Sequence, residues 1–138
     1  KFTDYLKGIF FVLIILQIAP PIIKGFIKNY TQLLEPQTKV AYLPIKGILY
    51  DSTHYVHYLR KYFKDNEIKA ILLRIECPGS AAATGEIIAH EIELLKKEFP
   101  KPIISLCENI CTSGAYYIAA STDHIIAAPS TFVGSIGS

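Results

Sequence analysis

A serine with small neighbours, Ser113, has the surroundings of a nucleophile. An apolar run at 103–107 precedes it and predicts a buried strand, and a small-residue apolar stretch at 114–121 predicts a helix after it. Ser113 would therefore lie on the turn between a strand and a helix. The first free N–H groups of a helix favour negative charge. A serine held there is well placed to attack a carbonyl carbon while backbone donors stabilise the oxyanion.

A helix cap is the other interpretation of Ser113, since serine is a leading N-cap residue. Its position alone favours the cap. Gly114 and Ala115 favour the nucleophile, because they leave open space beside the hydroxyl and a cap does not need two small residues after it. The stretch differs from the Gly-x-Ser-x-Gly elbow of the α/β-hydrolases, because Cys111 stands where the first glycine should be.

Composition excludes several classes of function. The chain has 138 residues, enough for one domain of modest size, and a formal net charge of +2. Its basic residues are scattered, which argues against nucleic acid as a partner. The cysteines, Cys77, Cys107 and Cys111, are too few for a disulfide framework; a Cys107–Cys111 bridge stays open, with free thiols favoured. No metal-ligand spacing occurs, so we expect no metal or other cofactor.

The uncharged, strongly apolar stretch 8–23 predicts a membrane anchor. It is slightly short of the roughly 20 residues that a spanning helix needs, but flanking lysines can reach the interfaces. A cleaved signal peptide is a less favoured interpretation, because no Ala-x-Ala-like cleavage site follows the apolar stretch. A buried core helix is the least favoured, because Pro20-Pro21 interrupts it. We therefore expect an anchor in lipid over 1–27 and a polar linker over 28–38. Lysines on both sides leave its orientation open.

Apolar runs and helical patterns alternate from residue 39 onward. Strands are predicted at 40–49 with a bend at Pro44, at 68–75 and at 124–128, besides the one before Ser113. The run 68–75 suits a strand buried on both faces. Ser52 and Thr84 are predicted to cap the two intervening helices. The second helix is expected to turn these residues inward: Ile87, Ile88, Ile92, Leu94 and Leu95.

This alternation predicts an α/β fold of βαβ units with a mostly parallel sheet. Small-residue loops follow two of its strands, Pro78-Gly79-Ser80 and Thr112-Ser113-Gly114. In such sheets the functional crevice lies beyond the carboxyl ends of the strands, so the loops would face each other if their strands are neighbours. The Gly114 N–H would be one oxyanion donor, and a backbone N–H near Gly79 or Ser80 the second.

The order of these motifs resembles the S49 serine peptidases, the family of signal peptide peptidase A (protease IV). The segments that carry the resemblance are 69–79, 101–104, 112–120, 123–129 and 133–137. It covers about residues 39–138, the amino-terminal part of the family's catalytic domain. It implies a ClpP/crotonase-type fold of stacked βαβ units after one transmembrane helix. The ending at 134–138 looks like the middle of a strand or turn, so we expect a domain truncated at its C-terminus.

The family resemblance implies a membrane-anchored serine endopeptidase with a serine–lysine dyad. Ser113 aligns with the nucleophile, while the lysine base is expected beyond residue 138. A lysine acts as a base only where burial lowers its pKa, and Lys96, Lys97 and Lys101 are interpreted as ordinary solvated charges. The family usually has Ser-Pro-Gly-Gly where this chain has Cys77 to Ser80, which leaves the donor geometry at Ser80 open. Cys77 is expected to replace a small residue and not to act as a nucleophile.

The same resemblance implies substrates, assembly and location. The substrates would be short hydrophobic peptides such as signal-peptide remnants, and the protein would form a homo-oligomer. It would be a single-pass protein of the bacterial inner membrane, with the catalytic domain on the extracytoplasmic side.

Two alternatives to a peptidase stay open. A ClpP/crotonase-like membrane scaffold would have the same fold without the base, and the sequence beyond Ser138 discriminates it. A crotonase-type acyl-CoA enzyme would also use paired backbone N–H groups, but the anchor and the Ser113 turn argue against it. A serine–histidine pair is disfavoured, because the histidines are expected at or near the surface. They are His54, His57, His90 and His124.

Overall fold

The computed structural model describes residues 2–34 and 38–137. Helix α1 (Phe2–Leu34) forms one unit, and the other begins at Thr38. In the second unit, strands and helices alternate up to the last strand. They are β1 (Lys39–Lys46), α2 (Thr53–Lys64), β2 (Ile68–Cys77), α3 (Ala82–Glu98), β3 (Ile103–Thr112), α4 (Gly114–Ala120), β4 (His124–Ala127) and β5 (Phe132–Gly134).

Helix α1 contains a stretch that is long and apolar enough to cross a membrane. This stretch, Lys7–Ile27, has 21 residues and a mean hydropathy of 2.1. At the rise of an α-helix it measures about 31 Å, close to the thickness of a bilayer's hydrocarbon core. Pro20 and Pro21 lie inside the helix. The helix continues to Leu34, so most of the predicted linker is helical; residues 35–37 lie outside the described residues.

The sheet has the strand order β1-β2-β3-β4, and β5 pairs with the end of β3 beyond β4. Every one of these pairings is parallel. The register places Leu43, Leu73 and Ser105 in one row across the sheet. Side chains alternate between the two faces of a strand, so these three residues share one face. The predicted mostly parallel α/β sheet is confirmed.

The described residues bury one face of strands β1 to β3, whereas β4 is exposed along its whole length. Residues of β2 alternate between buried and intermediate exposure, so the prediction of a strand buried on both faces is wrong. The physical reason is that α2, α3 and α4 all contribute to one core on the same face. Their buried apolar residues are Leu59, Phe63, Ile88, Ile92, Leu95, Ala115, Ile118 and Ala119.

The start of α2 is capped by a different residue from the one predicted. Ser52 occupies the N-cap position, but its side chain makes no capping hydrogen bond. Asp51 Oδ1 instead accepts hydrogen bonds from the N–H and the hydroxyl of Thr53, at 3.0 and 2.8 Å. A carboxylate is the stronger acceptor of the two candidates because it is charged.

Strand β1 continues through Pro44, where the sequence predicted a bend. Proline is tolerated there because β1 is an edge strand.

Helix α3 begins earlier than the sequence predicted. Its first residue is Ala82, so Thr84 lies inside the helix, and its hydroxyl donates to the Tyr50 carbonyl at 3.2 Å. The helix is rotated relative to the prediction, because Ile87 and Leu94 are about half exposed. Thr84 and Gly85 are buried on its inner face instead, which lets the helix approach the rest of the core closely.

Lys101 holds the C-terminal end of α2. Its ammonium group donates hydrogen bonds to the carbonyls of Tyr62, Phe63 and Asp65, at 2.7, 3.0 and 2.7 Å. Carbonyls at a helix end lack intrahelical donors and favour a positive charge. Burial lowers the pKa of Lys101. The interpretation of Lys101 as an ordinary solvated charge is therefore wrong.

Neither Lys96 nor Lys101 can serve the serine at the far end of β3. Lys96 forms an ion pair with Asp123, at 2.7 Å, so it too is more than a solvated charge. Asp123 is hydrogen-bonded to Ile103, the first residue of β3, so this pair lies at the end of the strand away from Ser113. Lys101 precedes β3 and Ser113 follows it, so the ten residues of the strand separate the two by roughly 30 Å.

We expect Lys101→Met to lower the free energy of unfolding by about 2 kcal/mol, because methionine keeps an apolar stem but leaves three carbonyls without a charged donor. Denaturant unfolding followed by circular dichroism measures this change. Lys97→Met is the matched control, since Lys97 is exposed in the last turn of α3, and it should change the free energy by less than about 0.5 kcal/mol. Equal effects of the two substitutions would contradict the structural role of Lys101.

Candidate active site

Ser113 lies on the turn between β3 and α4, where the sequence predicted it. Its backbone has φ 54° and ψ −128°, a conformation that residues with side chains rarely adopt. The Ser113 N–H donates to the Gly134 carbonyl at 2.9 Å, and the Ser113 carbonyl accepts from the Tyr117 N–H at 3.1 Å. These hydrogen bonds hold the serine turn (residues 112–114) in a conformation that costs about 1–3 kcal/mol.

The Ser113 side chain does not cap α4. The residue is exposed, and its hydroxyl makes no capping hydrogen bond. The helix-cap interpretation, which position alone favoured, is therefore wrong. Strained backbone is typical of functional sites, because a structure maintains it only where the surroundings impose it. The strained backbone at Ser113 therefore carries an exposed side chain that does not satisfy the helix end.

The serine turn and the loop after β2 are adjacent, because β2 and β3 are parallel neighbours. The Thr112 hydroxyl donates to the Pro78 carbonyl at 2.7 Å and ties the two loops together. Gly79 has φ 152°, and a Cβ atom on it would lie 3.4 Å from Ser113 Cβ and 3.7 Å from Ser113 Oγ. Glycine is needed there because it adopts this φ and leaves the space beside the hydroxyl open.

The backbone N–H groups of Ser80 and Gly114 lie near the serine turn, and neither is used in the hydrogen bonds of the described helices and strands. Leu49 pairs with the loop after β2, donating its N–H to the Gly79 carbonyl and accepting at its carbonyl from the Ala81 N–H. This bridge does not use the Ser80 N–H. Gly114 is the first residue of α4, so its N–H has no intrahelical acceptor. These are the donors that the sequence analysis predicted for an oxyanion.

A cavity of about 330 Å³ opens at Ser113. Its described lining residues are small, apolar or aromatic, and none carries a charge that could act as a base. They are Ser80, Ala82, Ser113, Gly114, Tyr117, Ser135, Ile136 and Gly137. Tyr117 and the segment 135–137 line this cavity although they were not predicted from the sequence to be part of the site. The spacing of Tyr117, one helical turn after Ser113, could have predicted its place in the cavity. The segment 135–137 reaches the cavity only because β5 pairs with β3.

The cysteines are structural in the described chain. All three are free and buried, as the favoured prediction had it. The Cys77 thiol donates to the Gly79 carbonyl at 3.0 Å, and burial raises the pKa of Cys77. Contact with Cys107 and burial both raise the pKa of Cys111. Raised pKa values make Cys77 and Cys111 poor nucleophiles. Contact with Cys111 lowers the pKa of Cys107, but Cys107 is buried within β3, so the exposed Ser113 hydroxyl is the better candidate at this site.

Comparison with known proteins finds similarity to one peptidase family in the region around Ser113. A model of peptidase family S49 matches residues 95–138. Protease 4 of Haemophilus influenzae is 44% identical over 79 residues, which are 57% of this chain and 13% of that protein. The chloroplastic serine protease SPPA of Arabidopsis thaliana is 34% identical over 79 residues, 57% of this chain and 11% of that protein. The chain thus spans less than a sixth of the length of these two relatives.

A solved structure shares the fold. It is the membrane-bound stomatin-specific protease 1510-N with one serine replaced by alanine. Its TM-score is 0.61 at 24% identity, and the match covers 73% of this chain and 49% of that one. A second structure of that protease, with one lysine replaced by alanine and a substrate peptide bound, has a TM-score of 0.58 at 21% identity over 74% of this chain and 47% of that one.

Fold and site therefore define a mostly parallel α/β protein that shares the fold of this protease and has an exposed serine on the turn after its third strand. Within that class, the resemblance to the S49 peptidases is confirmed by the family match and by the identity to protease 4. These comparisons support a serine peptidase.

Proposed function

We propose that the protein containing this chain is a membrane-anchored serine endopeptidase with Ser113 as its nucleophile. The observation that carries the proposal is the exposed Ser113 at positive φ beside the Gly79 loop, inside the region that matches family S49. Anchor, linker and amino-terminal catalytic domain would occupy 1–27, 28–38 and 39–138. The length and hydropathy of the stretch Lys7–Ile27 support the anchor.

In the proposed reaction, Ser113 Oγ attacks the carbonyl carbon of a peptide bond and loses its proton to a lysine beyond residue 138. The tetrahedral oxyanion accepts hydrogen bonds from the Gly114 N–H and from an N–H of the Gly79–Ser80 loop. The intermediate then expels the amine, which takes up the proton, and leaves an acyl-enzyme that water hydrolyses. The separate serine and lysine mutants of the structurally similar stomatin-specific protease support a dyad of this kind.

We propose short hydrophobic peptides close to the bilayer, such as remnants of signal peptides, as the substrates. Ala82, Tyr117 and Ile136 give the Ser113 cavity an apolar lining, and its described part is uncharged, which suits apolar side chains. We place the protein in the bacterial inner membrane as a single-pass homo-oligomer with the catalytic domain on the extracytoplasmic side. The anchor and the membrane-bound structural neighbour support membrane association.

A fluorophosphonate probe tests the nucleophile directly. We expect the full-length protein to form one covalent adduct, located on Ser113 by mass spectrometry of its peptides, because only an activated serine reacts quickly with this reagent. Prior incubation with a peptide boronate should protect Ser113, since boronates form a tetrahedral adduct with such serines. Adducts on other serines alone would overturn the assignment of Ser113. Absence of any adduct would favour the inactive scaffold instead.

A further inference from the structure

Ser80 Oγ is a buried side-chain oxygen without a hydrogen-bond partner among the described residues. Leaving such a group unpaired is unfavourable, and native structures contain few examples. An unpaired hydroxyl beside the Ser113 cavity, which Ser80 also lines, needs a physical reason.

Two glycines make the space that the Ser80 hydroxyl occupies. A Cβ atom on Gly114 would lie 1.9 Å from Ser80 Oγ, and one on Gly85 would lie 2.6 Å from the same oxygen. The Cβ atom on Gly85 would also lie 3.2 Å from both Cα and the carbonyl oxygen of Gly114. The hydroxyl therefore sits where α3 and the start of α4 approach backbone to backbone, and it fills volume that no other side chain occupies.

We propose that Ser80 is a positioning residue whose side chain sets the place of Gly114 by filling the gap between Gly85 and the serine turn. The proposal rests on the proposed peptidase function, in which the Gly114 N–H stabilises the oxyanion. The two neighbours of Ser80, Gly79 and Ala81, form backbone hydrogen bonds with Leu49, and these bonds fix the backbone position of Ser80. Because the Ser80 side chain contacts Gly114 directly, the fixed position of Ser80 also determines the position of Gly114. Misplacement of a catalytic group by about 1 Å can cost roughly 100-fold in rate.

The first test is Ser80→Ala in the full-length protein. We expect kcat for a hydrophobic peptide to fall about 10-fold while KM stays within about 2-fold, because the gap beside Gly114 loosens the transition-state donor but not substrate binding. The melting temperature should stay the same or rise, since the substitution removes a buried unpaired hydroxyl. A merely structural Ser80 would instead leave kcat unchanged.

The second test moves the missing volume to the other side of the gap. Gly85→Ala alone should lower the melting temperature by several degrees, because the new Cβ atom would lie 2.6 Å from Ser80 Oγ. In the double variant with Ser80→Ala the contact with Oγ is absent, and the methyl group introduced at position 85 fills the gap. Its remaining contacts, at 3.2 Å from Cα and the carbonyl oxygen of Gly114, require a shift of only a few tenths of an ångström. We expect the double variant to recover kcat to within about 3-fold of the wild type. A hydroxyl that donated directly to the substrate would not be rescued in this way, and failure of the rescue would overturn the proposal.

Ser113→Ala and Ser130→Ala, measured in parallel, separate this proposal from the proposed function. Ser130 lies exposed in the turn before β5 and outside the Ser113 cavity, so Ser130→Ala should keep wild-type kcat. Wild-type hydrolysis by Ser113→Ala would refute the peptidase assignment and, with it, the role of Ser80. Loss of hydrolysis in Ser113→Ala together with wild-type kcat in Ser80→Ala would refute the positioning role alone.

Discussion

Peptide hydrolysis by the full-length protein should fall at least about 10⁴-fold on Ser113→Ala, because the proposed reaction has no other group that can form the acyl-enzyme. The change removes a single oxygen from an exposed side chain that makes no capping hydrogen bond. The fold should therefore be intact, and binding of a hydrophobic peptide should be nearly unchanged. Steady-state hydrolysis and peptide binding by fluorescence anisotropy measure the two properties separately.

Stability measurements add an independent check on the Ser113 backbone. We expect Ser113→Gly to raise the free energy of unfolding by about 1 kcal/mol, since glycine adopts positive φ without the strain that serine carries. Ser113→Ala keeps a Cβ atom and should change the free energy by less than about 0.5 kcal/mol. The glycine variant would thus be more stable and inactive. A less stable glycine variant would show that the φ of 54° is not strained in the native protein.

The second large effect is expected for Gly114→Ala, with kcat/KM falling about 10²- to 10³-fold, the usual cost of losing one oxyanion donor. The new Cβ atom would lie 1.9 Å from Ser80 Oγ, 3.0 Å from Ser80 Cβ and 3.3 Å from the Ser80 backbone nitrogen. Rotation of the hydroxyl relieves only the first of these contacts. The start of α4 must therefore shift away from the loop after β2, and the Gly114 N–H shifts with it.

Gly25→Ala is the matched control for this substitution. It makes the same chemical change in α1, where a Cβ atom would have nothing within 4 Å, and it should keep wild-type hydrolysis. Circular dichroism and the melting temperature establish that Gly114→Ala is folded before its kinetics are interpreted. A folded Gly114→Ala variant with wild-type kcat/KM would contradict both the tight packing at Ser80 and the use of the Gly114 N–H as a donor.

Local patterns determined the class of the fold and the place of the serine. Apolar runs alternating with helical spacing predict βαβ units wherever they occur, because periodicity is a property of neighbouring residues. The same reasoning placed Ser113 between β3 and α4, and placed Gly79 at the end of the strand that neighbours β3. Burial of the second sheet face was predicted wrongly, because a continuous apolar run does not tell which elements cover it.

Tertiary structure decided the properties that depend on residues distant in the sequence. The hydrogen bonds of Lys101 are made to carbonyls at the end of α2, more than thirty residues away in the sequence. These bonds make Lys101 a cap of that helix and not a solvated charge. The positive φ of Ser113 depends on its bond to Gly134 from β5. The buried Ser80 hydroxyl depends on the packing of α3 against α4. Residue type and spacing therefore identified the serine. Contacts between separate elements determined its backbone conformation, the residues that line its cavity and the positions of the N–H donors.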